Sequence, residues 1–520
     1  MLSSLGIEGS HGTLRPAGER CFPPPFETAI HDFRRGTRGR CRISVTGTTS
    51  AAPEGPAVTS APVSAHAPDP SSASAPALAP PRSLAPDVAR GLMLALIAVA
   101  NVSWYLWRSS ESVGGTPHIP ADGPLDSIAQ AVMTVAVDHR AMPLFAFLFG
   151  YGMVQFYRSR IDRGLAPDAV RVMMRRRHWA MLLLGALHAA LLFYGDILGV
   201  YAVSALVLVW WFFGRRSRTL RIWVIVLAAV MMLFALFSML SGVALTYFVP
   251  AEVTAEMAAT DMGTGFVRPV AYDTPYLVSV LYRLGLWAVA LPFAALMGAP
   301  LPILLGWLAA RRRILDEPWR HVRLLRRTAV IGIAIGWLGG LPEALAILGL
   351  YELPAAAPWM LTGLTSLTGI ACGIGYAALF GLLALRLEGR KPADEAHRPD
   401  PSADRALSPA ERAYGVPRAE AAPARTREPG AVERTLAAVG QRSLTFYLFQ
   451  SLLLAPLMAS WGLGLGGTLS TAPALAIAFA AWLVSLPIAA WMGARGIRGP
   501  AERLLRRMTY GKIDAAPATR

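Results

Sequence analysis

Apolar residues along this chain run in long blocks separated by short clusters rich in arginine, rather than alternating with polar residues. A helix that crosses a bilayer needs about 20 mostly apolar residues. Ten blocks meet that requirement, at roughly 89–107, 128–157, 178–195, 197–213, 220–248, 277–309, 328–350, 358–386, 442–462 and 472–494. The pattern predicts an all-α fold, a polytopic membrane helix bundle of about ten transmembrane helices. Only Tyr194, Gly195 and Asp196 separate the third block from the fourth, which predicts a tight hairpin with Asp196 at its outer tip. The sixth block carries Pro292, Pro300 and Pro302. A break is expected there, because proline removes a backbone hydrogen bond inside a helix.

The arginine clusters supply an orientation, since cytoplasmic loops are enriched in Lys and Arg. With the N-terminus inside, the inner loops and C-terminal tail hold 36 of the 49 Lys and Arg, and the N-terminal tail through Arg90 holds nine. Only Arg108, Arg140, Arg268 and Arg283 fall on the outer side or in the outer half of the membrane. Both termini are therefore expected in the cytoplasm, in a multi-pass protein of the plasma (inner) membrane. The expected organisation is a disordered Ala/Pro/Ser-rich tail over 1–85 and eight membrane helices over 86–386. A disordered cytoplasmic linker over 387–435 follows, then the last two helices and a basic tail over 436–511, and a disordered end over 512–520. The outer connector 249–276, with Glu252, Glu256, Asp261 and Asp273, reads as a solvated acidic loop or as a lid over a substrate.

Composition argues against the soluble alternatives. Hydrophobic residues make up 54% of the chain and charged residues 16%, and mean hydropathy is +0.43; an average globular chain is about 25% charged. The net charge of +16 is carried by arginines flanking the apolar blocks, with Lys391 and Lys512 the only lysines. That distribution points to membrane lipids as partners and away from nucleic acid. Cys21, Cys41 and Cys372 are scattered and make neither a disulfide framework nor a metal pair. The chain has no G-x-S-x-G elbow, Walker A motif, H-E-x-x-H or Rossmann fingerprint. Its nine histidines lack ligand spacing, so neither a metal nor a bound cofactor is expected.

Ionisable groups inside a membrane are costly unless paired, and so mark candidate sites. Asp87 and Arg90 stand at i and i+3 where the first block opens, followed by Gly91, and read as an interfacial ion pair. Asn101 bridges helices or lines a site. In the second block Asp138, His139 and Arg140 are intramembrane if the helix starts near Ile128, and interfacial if it starts later. Gly150 suits close helix contact. His188 and Asp196 lie eight residues apart, about 12 Å of helical rise, which puts them on one face without direct contact. His188 is suited to general-base work near neutral pH, and Asp196 also suits the N-terminus of the next helix. Arg283 and Glu343 have opposite charges at similar depth and are expected to pair. Tyr447 and Gln450 share a face of the ninth block. Most of these groups fall in the outer half of the membrane, which suggests a polar cavity open to the outside.

Four stretches together resemble the YeiB-like family of bacterial integral membrane proteins. They are the opening D-x-x-R-G followed by Asn101, "LFAFLFGYG" at 144–152, "LLLGALHAALLFYGDILGVYAV" with His188 and Asp196, and "VGQRSLTFYLFQSLLL" ending later in "GPAERLLRRMTYG". They bracket residues 87–511. The aromatic residue that usually follows the basic position before the second stretch is Ala141 here. The resemblance implies a C-terminal domain of unknown function and a distant similarity to transmembrane acyltransferases, which carry an acyl group from a cytosolic CoA thioester to a hydroxyl or amine on the far side. Their catalytic histidine follows the first span, where His118 and His139 are the nearest counterparts.

Two functions fit. One is an acyltransferase with acyl-CoA as donor and an envelope sugar, lipid or small molecule as acceptor. His188 or His139 would take the acceptor proton and Asp196 or Glu343 would orient that histidine, while Arg140 and Arg283 grip donor phosphates or the oxyanion. The other is a transporter of a small metabolite or lipid, with the same charges lining its path.

Overall fold

The computed structural model describes residues 84–260, 264–389 and 428–510. The expected tail over 1–85, apart from its last two residues, lies outside them, as do most of the 387–435 linker and the end over 512–520. Among the described residues the fold is entirely helical. Its helices are α1 (Ala85–Val102), α2 (Pro124–Ala136), α3 (Ala141–Ile161), α4 (Pro167–Leu191), α5 (Ile197–Phe212), α6 (Ser217–Phe248), α7 (Ala251–Thr260) and α8 (Thr264–Tyr272). They continue as α9 (Tyr276–Phe293), α10 (Pro300–Arg311), α11 (Val322–Ile347), α12 (Thr362–Leu387), α13 (Ala431–Gln441), α14 (Ser443–Met458), α15 (Thr471–Ala494) and α16 (Pro500–Tyr510).

Seven segments are long and apolar enough to cross a membrane: Ala85–Tyr105, Pro124–Ile161, Ser217–Phe248, Tyr276–Gly298, Val322–Ile347, Thr362–Leu387 and Thr471–Ala494. Helices α5 and α14 are apolar but shorter, and α4 opens with Arg171, Arg175, Arg176 and Arg177. The apolar window of α6 is only 17% buried, against 56% for those of α1 and α12. Helix α6 therefore sits at the rim of the bundle with most of its apolar surface uncovered, while α1, α12 and the α2–α3 segment, 61% buried, lie towards the centre.

Close helix approach depends on missing side chains. A Cβ on Gly150 would lie 2.4 Å from the Ile303 carbonyl oxygen, which fixes the α3–α10 crossing, and one on Gly91 would lie 2.3 Å from that of Leu436, which fixes α1 against α13. Helix α13 begins inside the segment expected to be linker. Its Leu436, Ala437 and Val439 are buried, so this amphipathic stretch joins the core.

The second block is two helices. Asp138, His139 and Arg140 interrupt it, and His139 takes a left-handed conformation with φ 58°. Together α2 and α3 would span about 57 Å as one rod, well beyond a hydrocarbon layer of about 30 Å, so the break lets the chain turn. The sixth block is interrupted as well, by a π-helical segment at Ala294–Gly298 between α9 and α10.

The outer connector is not simply a solvated loop. Helix α8 is tucked in, with Arg268 and Tyr272 fully buried; Asp261 lies outside the described residues. The Arg268 guanidinium donates to the carbonyls of Pro117 (2.8 Å) and Glu111 (2.8 Å), and its burial lowers its pKa from the ordinary arginine value. Tyr272 stacks on Tyr105 at 4.8 Å, and Tyr105 on Phe193 at 4.9 Å. These rings seal the α4–α5 turn. Helix α5 follows that turn with 16 residues, and Asp196 at the turn is only 2% exposed.

Candidate functional site

A cavity of about 730 Å³ opens at the arginine-rich end of the bundle, between α1, α3, α4, α13, α14, α16 and the turn after α10. The outer-half grouping predicted a cavity at the other end. Arg158 and Arg177, which the sequence marks only as charges of an inner loop, converge with Tyr510 on this pocket. Arginines 90, 158, 160, 163, 177, 313 and 506 outnumber the carboxylates of Asp87, Asp162, Asp316, Glu317 and Glu502 on its walls.

One wall is a continuous hydrogen-bonded chain. Gln441 donates to Asp87 (3.3 Å), Asp87 pairs with Arg90 (3.0 Å), and Arg90 donates to Gln155 (3.2 Å). Gln155 donates to Asp316 (2.6 Å), which pairs with Arg158 (3.0 Å). The Tyr151 hydroxyl accepts from the backbone N–H groups of Leu315 (3.0 Å) and Asp316 (2.8 Å), fixing the turn that carries Asp316. The other wall uses aromatic rings. Arg160 and Arg177 both lie over Phe156, at 4.8 and 5.6 Å, and Arg160 and Arg506 both lie over Tyr510, at 5.2 Å. Ring faces hold cations without cancelling their charge, so this wall stays electropositive.

Tyr447 stands at the deep end. Its hydroxyl accepts from the Ile197 N–H (3.3 Å) and donates to Asp196 Oδ1 (3.4 Å), and its ring centroid is 5.0 Å from that of His188. Asp196 Oδ1 lies 2.8 Å from His188 Nδ1, while Oδ2 accepts from the Gly199 N–H at 2.8 Å and caps α5. The expectation that His188 and Asp196 do not touch is overturned. It assumed one straight helix, but α4 ends at Leu191 and the chain folds back over five residues. The fold-back requires Gly185, where a Cβ would lie 2.5 Å from Asp196 Oδ2. His188 is 4% exposed, and its Nε2 has no hydrogen-bond partner among the described residues.

His139 does not join this pair. It belongs to a second buried cluster at the α2–α3 break, where its Nδ1 lies 3.3 Å from Ser366 Oγ. There His118 Nε2 pairs with Asp138 (2.8 Å) and Nδ1 meets Ser103 Oγ (3.3 Å). Arg140 donates to the carbonyls of Asp138 and Gly336. Glu343, 2% exposed, is in electrostatic reach of Asp138, Arg140 and His118.

The expected Arg283–Glu343 pair does not form. Arg283 donates to the carbonyls of Ala190 (3.0 Å), Leu191 (3.3 Å) and Ala271 (3.0 Å). It thus caps the C-terminal end of α4, where helical carbonyls lack partners, and holds the turn that delivers Asp196. Gln450 donates to the Leu94 carbonyl (3.0 Å) and ties α14 to α1, while Asn101 is half-buried near the far end of α1. Sequence reading did not single out Tyr151, Gln155 and Arg158 as a group. Their i, i+4, i+7 spacing on α3 marks one polar face and was the available signal.

A protein-family model described as a protein of unknown function (DUF418) matches residues 309–395 and 421–512. These segments contribute Asp316, Glu317, Gln441, Tyr447, Glu502 and Tyr510 to the cavity, whereas His188 and Asp196 lie outside them. The uncharacterized protein YxaH of Bacillus subtilis (strain 168) is 28% identical over 267 residues, 48% of this chain. The match spans 63% of the length of YxaH. Taken together, the family match and the apolar helices describe a membrane-associated helical protein similar to a family whose function is unknown.

Proposed function

We propose that the chain is a YeiB-like integral protein of the bacterial plasma membrane. It has ten passes, with both termini on the arginine-rich cytoplasmic face, and it transfers an acyl group from a cytosolic CoA thioester to an envelope hydroxyl or amine. The observation that carries this reading is the His188–Asp196 pair, with a bare Nε2, behind Tyr447 at the deep end of an arginine-lined cavity. The cavity volume is in the ordinary ligand-pocket range of about 300–1,000 Å³. Arg160, Arg163 and Arg177 suit the donor's phosphates, which guanidinium groups bind through charge-assisted hydrogen bonds.

In this mechanism Nε2 removes the acceptor proton as the acceptor oxygen or nitrogen attacks the thioester carbonyl. The tetrahedral intermediate collapses, the C–S bond breaks, and the CoA thiolate recovers the proton from Nε2. Asp196 holds the imidazole in the tautomer with Nε2 bare and stabilises the imidazolium that forms.

A second reading, transport of a small metabolite or lipid, is favoured by the two interrupted passes. These are the breaks at 137–140 and 294–299, whose helices α3 and α10 pack on each other. Broken helices near the midplane are a transporter device.

The test is thermal unfolding of the detergent-purified protein against a panel of acyl-CoAs, with turnover of wild type and His188→Ala. Saturable stabilisation by an acyl-CoA, weaker with free CoA, and turnover lost in the variant support the transferase. No shift across the panel with folded protein rejects it and leaves transport to be measured in proteoliposomes.

A further inference from the structure

A second concavity, of about 940 Å³, lies on the outer flank of α4, between it, α5 and the start of α6. Its chemistry is graded along the helices. At the arginine-rich end its rim carries Arg171, Arg175, Arg215 and Arg216, all exposed. One turn deeper come Trp179, Trp210 and Trp211, exposed by 59%, 80% and 54%. Below these the lining is Leu206, Val207 and Val209. His178 also lines the groove, is 1% exposed, and has an Nδ1 without a hydrogen-bond partner among the described residues.

We infer that this groove is a binding site for one anionic glycerophospholipid, its phosphate held among the four arginines and its acyl chains lying along the aliphatic floor. The gradient from charge through tryptophan to aliphatic side chains has the order of a phospholipid read from headgroup to tail. Tryptophan is enriched at the membrane–water interface because its ring is apolar and its N–H is polar. Basic pockets between membrane helices suit anionic headgroups. Arg215 is also held in place: its Nε donates to the Trp211 carbonyl at 3.3 Å, and its own carbonyl accepts from Arg311 at 2.9 Å. His178 lines this groove and the 730 Å³ cavity alike. The site does not depend on the acyltransferase reading.

Native mass spectrometry of the detergent-purified full chain tests it, with phosphatidylglycerol, phosphatidylcholine and inorganic phosphate as probes. Phosphatidylglycerol is expected to be retained one per chain in preference to phosphatidylcholine. Arg175→Gln with Arg216→Gln should weaken it about 25-fold, since each arginine near an anionic surface contributes about 1 kcal/mol. Arg218→Gln with Arg221→Gln, which removes equal charge beside the groove, should leave binding unchanged. Equal weakening by both pairs would reduce the effect to general charge and overturn the site. Equal retention of the two lipids, or displacement by millimolar phosphate, would overturn it as well. If the first pair does not fold, Trp210→Ala, at a side chain 80% exposed, carries the test, and unchanged phosphatidylglycerol retention in it counts against the site.

Discussion

Among the described residues stand two buried histidine–aspartate pairs that look alike in isolation and differ in what surrounds them. His118 and Asp138 meet at 2.8 Å, and the other ring nitrogen of His118 is taken by Ser103. His188 and Asp196 meet at the same distance, but the other ring nitrogen has no hydrogen-bond partner among the described residues. Both nitrogens of the first imidazole are engaged, and it ties the end of α1 to the α2–α3 break. The second retains a bare nitrogen, has a carboxylate that is held independently by Gly199 and Tyr447, and sits behind a cavity. A histidine–aspartate hydrogen bond alone therefore does not separate the two; the unspent ring nitrogen does, and the proposed function rests on it.

The sharpest way to break this comparison is to remove each histidine. His188→Ala is expected to lower acyl transfer by about 10²–10⁴-fold, the usual weight of a general base. His118→Ala should cost stability instead, about 3–5 kcal/mol, because it strands Asp138 in the interior. Rates and detergent-phase unfolding measured on both variants check the assignment. The reverse pattern, a stable inactive His118→Ala beside an unstable active His188→Ala, would exchange the two roles.

Arg283→Leu comes next. It removes the guanidinium from the carbonyls of Ala190, Leu191 and Ala271, of which Leu191 keeps the Tyr276 hydroxyl as donor, at about 1–3 kcal/mol for each that stays unsatisfied. Since the Ala190 and Leu191 carbonyls end α4, the proposed transfer should be lost along with the lower Tm even where the variant still binds donor. Gly150→Ala should destabilise by about 1–3 kcal/mol through overpacking of α3 on α10, read by the same unfolding assay, with donor affinity in the folded fraction unchanged. The smallest effect belongs to Tyr447→Phe, which removes two long hydrogen bonds, one accepted from the Ile197 N–H and one donated to the Asp196 carboxylate, the latter worth about 1 kcal/mol. About a fivefold fall in rate with little change in Tm would fit a residue that positions the dyad, whereas an unchanged rate would make Tyr447 simple packing.

Much of the helix inventory was legible because lipid-crossing helices must be long and apolar, and the hydropathy pattern records that directly. The Asp87–Arg90 pair and the N-terminal cap at Asp196 were legible too, since both are set within one turn of helix. The break at Asp138–Arg140 was only half visible, as a cluster of polar residues whose depth depended on where the helix began. The Tyr151–Gln155–Arg158 face was visible as spacing but carried no hint of Asp316, which arrives from a turn more than 150 residues away.

By itself, then, the sequence determined which segments are apolar enough for lipid and where the arginine clusters fall, because transfer free energy is additive along a chain. The tertiary structure decided that His188 reaches Asp196 but not His139, that Arg283 binds carbonyls rather than Glu343, and that the cavity opens at the arginine-rich end. Those outcomes turn on where helices stop and which faces meet. A single five-residue turn after Leu191 moves Asp196 from about 12 Å of helical rise to hydrogen-bond distance, and no periodicity in the sequence encodes the direction of that turn.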